Sequence, residues 1–238
     1  MSKRAIILAG GKGTRLRPYT VVLPKPLMPI GDYPILEIIV RQLAFSGFDH
    51  ITMTVNHQAE IIKAFFGDGS KWNIHIDYSL EDRPLSTMGP LKLIRDLPEN
   101  FLVMNGDVLT DLDFDWFYNF HTLGKQIFSI SAFERIEVSE YGVLNVDPSN
   151  MLTGFTEKPK NYYTVSMGVY MVSRRILEYI PENIAYGFDR LMLDLLSDKQ
   201  MVSVHRHHSY WLDIGRPDDY MQAIEEFDKN KDKFLPGK

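Results

Sequence analysis

The first half of the chain alternates short Ile- and Val-rich runs with longer stretches of helical period, and no other feature restricts the fold as much. Apolar runs of this kind are buried on both faces, which needs helices on either side of a parallel sheet. Residues 4–9 (RAIILA) read as a buried strand. Ile35, Leu36, Ile38, Ile39, Leu43 and Ala44 recur at helical spacing and stop at Gly47. A strand at 51–55 (ITMTV), a helix at 58–66 closed by Gly67, a strand at 74–78, a helix at 88–96 and a strand at 101–104 (FLVM) follow. From residue 126 the texture changes: IFSISAF, YGVLNV and TVSMGVYMV have strand composition with few helices between them. Helices at 174–180 and 188–196, a strand at 201–206 and a helix at 217–230 complete the pattern.

The expected fold is α/β, a Rossmann-like open and mostly parallel sheet flanked by helices, with a smaller antiparallel strand-rich portion. No linker or repeat divides residues 1–238, so a single domain with two portions, 1–125 and 126–238, is expected. The 238 residues are 45% hydrophobic, enough for a sizeable core. A formal charge of -5 gives no global basic excess, so nucleic acid is not an expected partner. The absence of cysteine removes disulfides, thiolate metal sites and cysteine nucleophiles, and leaves oxygen or histidine to hold any metal. The N-terminal apolar run Ala5–Ala9 is too short for a signal-peptide core, and no stretch approaches the ~20 residues of a membrane span. A cytoplasmic protein with no membrane partner is expected.

Leu8-Ala9-Gly10-Gly11-Lys12-Gly13-Thr14-Arg15 leaves the end of the first strand, where open α/β sheets bind ligands. Its glycines let the backbone approach a phosphate with amides turned inward, and Arg15 offers a fixed fork to phosphate oxygens. The loop lacks the third glycine of the dinucleotide fingerprint and does not end in the Gly-Lys-Ser/Thr of a P-loop. Further on, Pro24 and Pro26 restrict the backbone on both sides of Lys25, which holds its ammonium in place at reduced entropic cost.

LAGGKGTRLRPYT followed by LPKPLMPIGDYPILE resembles the N-terminal signature of the sugar-1-phosphate nucleotidyltransferases. The resemblance continues through Asn105-Gly106-Asp107, Tyr141-Gly142-Val143, Glu157-Lys158-Pro159, Met167-Gly168-Val169-Tyr170 and Trp211-Leu212-Asp213-Ile214-Gly215, and so covers nearly the whole chain. It implies that 1–125 is a nucleotide-binding portion and 126–238 a sugar-binding portion with C-terminal helices. The loop residues Leu8, Ala9, Gly10, Gly11, Gly13, Thr14 and Arg15 then meet the nucleotide. Residues Asn105, Gly142, Glu157, Lys158 and Gly168 meet the sugar phosphate. In this family the glutamate bonds sugar hydroxyls and the lysine neutralises the phosphate. Arg15, Lys25 and Lys158 become the catalytic cations, which offset the repulsion between two polyanionic substrates.

Asp107 follows a strand at its C-terminal end and Asp213 lies in WLDIG; each is also the residue type that caps a turn. The resemblance assigns both to Mg²⁺, a hard ion that takes a few protein oxygens plus phosphate and water. Asp111-Leu112-Asp113 has metal-like spacing but reads as the cap of a helix starting near Phe114, and His205, His207 and His208 read as surface residues.

The implied reaction joins NTP and sugar 1-phosphate into an NDP-sugar for cell-surface glycan synthesis and releases pyrophosphate. The segment against the base, which supplies Glu81, Pro84, Thr87 and Gly89, is similar to the Pro-Leu-Gly-Thr-Ala-Gly stretch of the mannose-1-phosphate guanylyltransferase-like branch. It lacks the Gly-Leu-Ala-Gln stretch of the thymidylyltransferases, and Ser86 stands where a glycine is usual. GTP is favoured, with UTP, CTP and dTTP open. The length suggests the short members of the family without a hexapeptide-repeat domain, and assembly into a homo-oligomer is open. Two readings from other classes stand beside this one: a catalytically silent regulatory subunit, and a glycosyltransferase that uses Asp111-Leu112-Asp113 as its metal motif.

Overall fold

The computed structural model describes residues 2–11, 13–56 and 58–235. The first half runs β1 (Lys3–Leu8), β2 (Pro29–Ile30), β3 (Tyr33–Pro34), α1 (Ile35–Phe45), β4 (Phe48–Val55), α2 (Ala59–Phe66), β5 (His75–Leu80), β6 (Asn100–Asn105), β7 (Val108–Thr110) and α3 (Phe114–Leu123). The second half runs β8 (Phe128–Val138), β9 (Val143–Val146), β10 (Leu152–Thr156), β11 (Lys160–Ser173), α4 (Phe188–Ser197), β12 (Val202–His207), β13 (Trp211–Asp213), α5 (Pro217–Lys229) and α6 (Lys231–Phe234).

Seven strands form one sheet in the order β12-β8-β11-β6-β1-β4-β5. β1 pairs in parallel with β4 and β6, and β5 adds a parallel edge beyond β4. Successive side chains of β1 point to opposite faces: Ala5 and Ile7 join the core under α1, α2 and α3, while Ile6 joins the core under α4. All three are fully buried, which is why this strand reads as an unbroken apolar run.

The helix ends follow local chemistry. α1 begins after Pro34, and Gly47 turns the chain away with φ +79°. The Gly67 N–H closes α2 on the Lys63 carbonyl at 2.9 Å, and Asp113 Oδ1 accepts the Trp116 N–H at 2.9 Å to cap α3.

Two expected helices are only short 3₁₀ turns. Residues 88–96 form one turn over Gly89–Leu93, because the Met88 and Gly89 amides bond the Tyr186 carbonyl instead of starting a helix, and Ile94 is extended. Residues 174–180 form a turn over Arg174–Glu178, stopped short of Pro181.

The strand-rich second part belongs mostly to the main sheet. β11 lies antiparallel between β6 and β8, and β12 adds a parallel edge to β8. Past a register shift at Ser166–Tyr170, β8 and β11 continue as an exposed ribbon that pairs Glu134–Val138 with Lys160–Thr164. The separate antiparallel piece is the β9–β10 hairpin. A short antiparallel ladder of β7 with β13 brings residues 108–110 against 211–213. α5 and α6 fold back so that the buried Phe227 and Phe234 rings stack at 5.8 Å, with Phe227 against Gly31 between β2 and β3.

Candidate functional site

The carboxyl ends of β1, β4, β5 and β6 open on a cleft of about 810 Å³, the place where an open α/β sheet takes its ligand. Leu8, Gly10 and Gly11 form one wall. The loop is anchored by backbone bonds: the Ala9 N–H donates to the Thr54 carbonyl at 3.0 Å and the Gly106 N–H to the Leu8 carbonyl at 3.0 Å. The Asn56 amide donates to the Gly10 carbonyl, a tie between the loop and the end of β4. Gly13 has φ +60°, and a Cβ there would lie 3.1 Å from Lys25 Cβ and as close to Thr20. Ala9, Gly13 and Thr14 thus shape the loop without lining the cleft, and Lys12 lies outside the described residues.

A charged cluster adjoins the cleft at Asp107, which lines it, while Lys25, Asp213 and Arg15 stand behind that lining. Lys25 is 9% exposed and pairs with Asp107, its backbone fixed by the Leu27 N–H bond to the Pro24 carbonyl and the Met28 N–H bond to its own carbonyl. Asp107 follows β6, and the Ile214 N–H bonds its carbonyl at 3.0 Å, so the β7–β13 ladder sets Asp213 beside it. Burial first, then the Asp107 charge, pushes the Asp213 carboxyl above its usual range, while Lys25 and Arg15 pull it down. A Cβ on Gly215 would lie 3.0 Å from Asp213 Oδ2 and 3.5 Å from Arg15 Nη2, which locates Arg15 in the same cluster. Two half-buried carboxylates that repel each other form an oxygen donor set suited to a hard divalent cation.

Glu81, Pro84 and Thr87 line the far end of the cleft. Glu81 Oε2 accepts the Leu85 N–H at 3.1 Å, and Oε1 is within 2.9 Å of where a Cβ on Gly10 would stand. Burial raises the Glu81 carboxyl above its usual range, with the Leu85 N–H opposing. Ser86 adopts φ +64°, the left-handed conformation that glycine takes freely, which accounts for a glycine being usual there. Gly89 is buried behind the loop, where a Cβ would meet Leu85 and the Ile184 carbonyl at 3.0 and 3.1 Å. Its role is packing, and it does not line the cleft.

The sugar-side residues fall in two groups. Asn105 lines the cleft and Gly168, at φ +73°, lets it approach, since a Cβ there would be 2.5 Å from Asn105 Nδ2. Gly142 packs under Phe155 and the Glu157 carboxylate, at 2.5 and 3.0 Å from a hypothetical Cβ. Glu157 and Lys158 are exposed and, among the described residues, do not belong to the cleft lining.

Sequence reasoning missed Arg17, Thr54, Asn56, Asp82 and Arg83, all of which line the cleft. Asn56, Asp82 and Arg83 lie just past the carboxyl ends of β4 and β5, a position that marks them, whereas Thr54 lies within β4 and Arg17 beyond the glycine loop. Of the three histidines expected at the surface, only His208 is exposed: His205 packs at a tilt on Trp116, 4.4 Å between ring centroids, and His207 Nε2 lies 2.8 Å from Asp111 Oδ1. Asp111 also accepts from Ser209 and the Tyr210 N–H, and Asp113 caps α3. Both carboxylates of the Asp-x-Asp stretch are therefore engaged in structure, away from the cleft.

An open sheet with a glycine loop, a braced lysine and paired acids at its strand ends defines a nucleotide-handling α/β protein. Residues 4–230 match the Nucleotidyl transferase family model, and the chain belongs to that family. It is 33% identical over 241 residues to a UTP--glucose-1-phosphate uridylyltransferase of Synechocystis sp., covering 93% of this chain and 62% of that protein. It is 34% identical to a mannose-1-phosphate guanyltransferase of Schizosaccharomyces pombe, covering 98% of this chain and 67% of that one. The chain thus spans about two thirds of the length of these relatives. HddC from Yersinia pseudotuberculosis superposes with a TM-score of 0.73 at 28% identity, covering 94% of this chain and 99% of that one. The same protein has also been solved in complex with GMP-PN. Among the described residues no helix is long and apolar enough to cross a membrane.

Proposed function

We propose that the chain transfers a nucleotidyl group from an NTP, with GTP preferred, to a sugar 1-phosphate. The observation that carries this reading is the cluster of Arg15, Lys25, Asp107 and Asp213, which adjoins the glycine-loop cleft at Asp107. A sugar-phosphate oxygen attacks the α-phosphorus in line; the new O–P bond forms as the bond to the β-phosphate bridging oxygen breaks, and pyrophosphate leaves. The nucleophile is already ionised at neutral pH and needs no general base. Rate then comes from positioning and charge neutralisation. Arg15 bears on the triphosphate, and Lys25 and Lys158 on the reacting phosphates. Asp107 and Asp213 are the residues that would hold Mg²⁺, which supplies further neutralisation when bound. The glycine loop and Glu81 serve the nucleotide side; Asn105, Gly142, Glu157 and Gly168 serve the sugar phosphate, with residues 1–125 carrying the former and 126–238 most of the latter.

The preference for guanine rests on Glu81. An ionised carboxylate only accepts hydrogen bonds, and guanine presents adjacent ring and amino N–H donors to such a group. Uracil and thymine set a carbonyl on each side of a single N–H, which opposes the second carboxylate oxygen. That HddC has been solved with GMP-PN supports the same base. The test is a matrix of four NTPs plus dTTP against a panel of sugar 1-phosphates, scored by pyrophosphate release. GTP is expected to lead, and Glu81→Gln is expected to lower the GTP-to-UTP ratio of kcat/KM by about a hundredfold. No release with any pair overturns the activity; an unchanged ratio in the variant overturns the base assignment alone.

A further inference from the structure

At the end of the sheet opposite the cleft, the parallel register of β4 and β5 sets His50 beside His75 and Thr52 beside Asp77. Strand alternation turns these four side chains to one face. The His50 and His75 rings lie 4.7 Å apart between centroids, and His50 Nε2 is 3.0 Å from Asp77 Oδ2. One ligand atom from each of His50, His75 and Asp77 falls within 4.8 Å of the other two, the only such trio found among the described residues. Asp77 Oδ1 is buried and has no hydrogen-bond partner. A buried carboxylate oxygen left without a hydrogen-bond donor is costly.

The surrounding charges favour a cation. Arg4 Nη2 lies 3.3 Å from Asp77 Oδ2, and Arg4 Nη1 lies 2.9 Å from Asp96 Oδ1. The Arg4 hydrogen bond holds the Asp96 carboxyl below its usual range. One guanidinium thus faces two carboxylates. Arg4 grips one Asp77 oxygen and leaves the other free, as groups behind a metal ligand do. We propose that His50, His75 and Asp77 bind a divalent transition ion of the Zn²⁺ type, with water completing four-coordination. Two imidazoles and a carboxylate suit Zn²⁺ and not Mg²⁺. The ion would pin the edge strand β5 to β4 and is independent of the nucleotidyl reaction.

The test uses the full chain, stripped with a chelator and dialysed, and Zn²⁺ or Co²⁺ alone as probes. Zn²⁺ titration calorimetry, Co²⁺ visible absorption and thermal melting are read for the natural chain, His75→Ala and Asp77→Asn. His75 is exposed, so its loss leaves the metal-free melt unchanged. The natural chain is expected to show a tetrahedral Co²⁺ spectrum and a Zn²⁺-dependent rise in melting temperature. Both variants lose the spectrum and the rise, and bind at least about tenfold more weakly. An unchanged Co²⁺ spectrum in His75→Ala, or no Zn²⁺ binding by the natural chain below about 100 µM, overturns the proposal.

Discussion

Asp213 and Lys25 sit in the same cluster under opposite demands. Burial and the neighbouring Asp107 charge make ionised Asp213 unfavourable in the folded chain, so its carboxyl titrates higher there than in the unfolded chain. The folded state therefore binds the proton more tightly, and this group subtracts stability as pH rises above the ordinary carboxylate range. In chelator at neutral pH, Asp213→Asn is expected to raise the melting temperature by roughly 2 °C or more, while pyrophosphate release falls by orders of magnitude. A lower melting temperature would remove the strained-carboxylate account. Lys25→Ala strips the cation from Asp107 and is expected to lower kcat by about a hundredfold or more, read in the same assay with the fold checked by circular dichroism. Much of this was legible from single residues, because glycines and prolines announce the backbone they require. Gly13 and Gly168 do adopt positive φ, and Ser86 adopts it where glycine is usual. The place of Asn56 after β4 marks it for the cleft, but its tie to the Gly10 carbonyl was not legible, since one side-chain bond leaves no pattern in the sequence.

The elements repeat this division. Strands and helices with a full period were readable, whereas the two 3₁₀ turns were mistaken for helices because apolar spacing does not report where backbone amides bond. Met88 and Gly89 donate to Tyr186, about a hundred residues away in sequence, and no local rule anticipates that. The β7–β13 ladder escaped for the same reason: three-residue strands carry too little periodicity to be seen. α3 carries a polar group that the pattern hid among aromatics. His121 is buried, its Nδ1 2.8 Å from Ser129 Oγ and its Nε2 without a partner, and burial lowers its pKa from 6.5 to about 4. The folded chain keeps it neutral, so its contribution to stability is full above pH 6.5 and is lost as pH falls toward about 4. The loss is about 3 kcal/mol at most, and urea melts of His121→Phe across this range are expected to show a flatter acid limb. On β11, Gly168→Ala displaces the Asn105 amide from the cleft and is expected to raise the KM for sugar phosphate about tenfold, with a smaller change for NTP.

At the scale of the whole molecule, the C-terminal helices are fastened back onto the first half. Gly31, at φ +58°, places its α-carbon against the buried Phe227 ring, and an added Cβ would lie 2.9 Å from it. Gly31→Ala is expected to cost about 2 kcal/mol, seen as a lower melting temperature, and to loosen α5 in hydrogen exchange. The segment before α5 holds β13, and with it Asp213. The ladder of residues 108–110 with 211–213 makes the acid pair the product of a closure across about a hundred residues. Synthesis therefore sets an order of events: a nascent chain displays its glycine loop and Lys25 early, yet the second carboxylate joins them only after β13 has emerged and paired. A half-made chain therefore carries Lys25 and Asp107 without Asp213, and the acid pair is complete only once residues 211–213 have closed on 108–110.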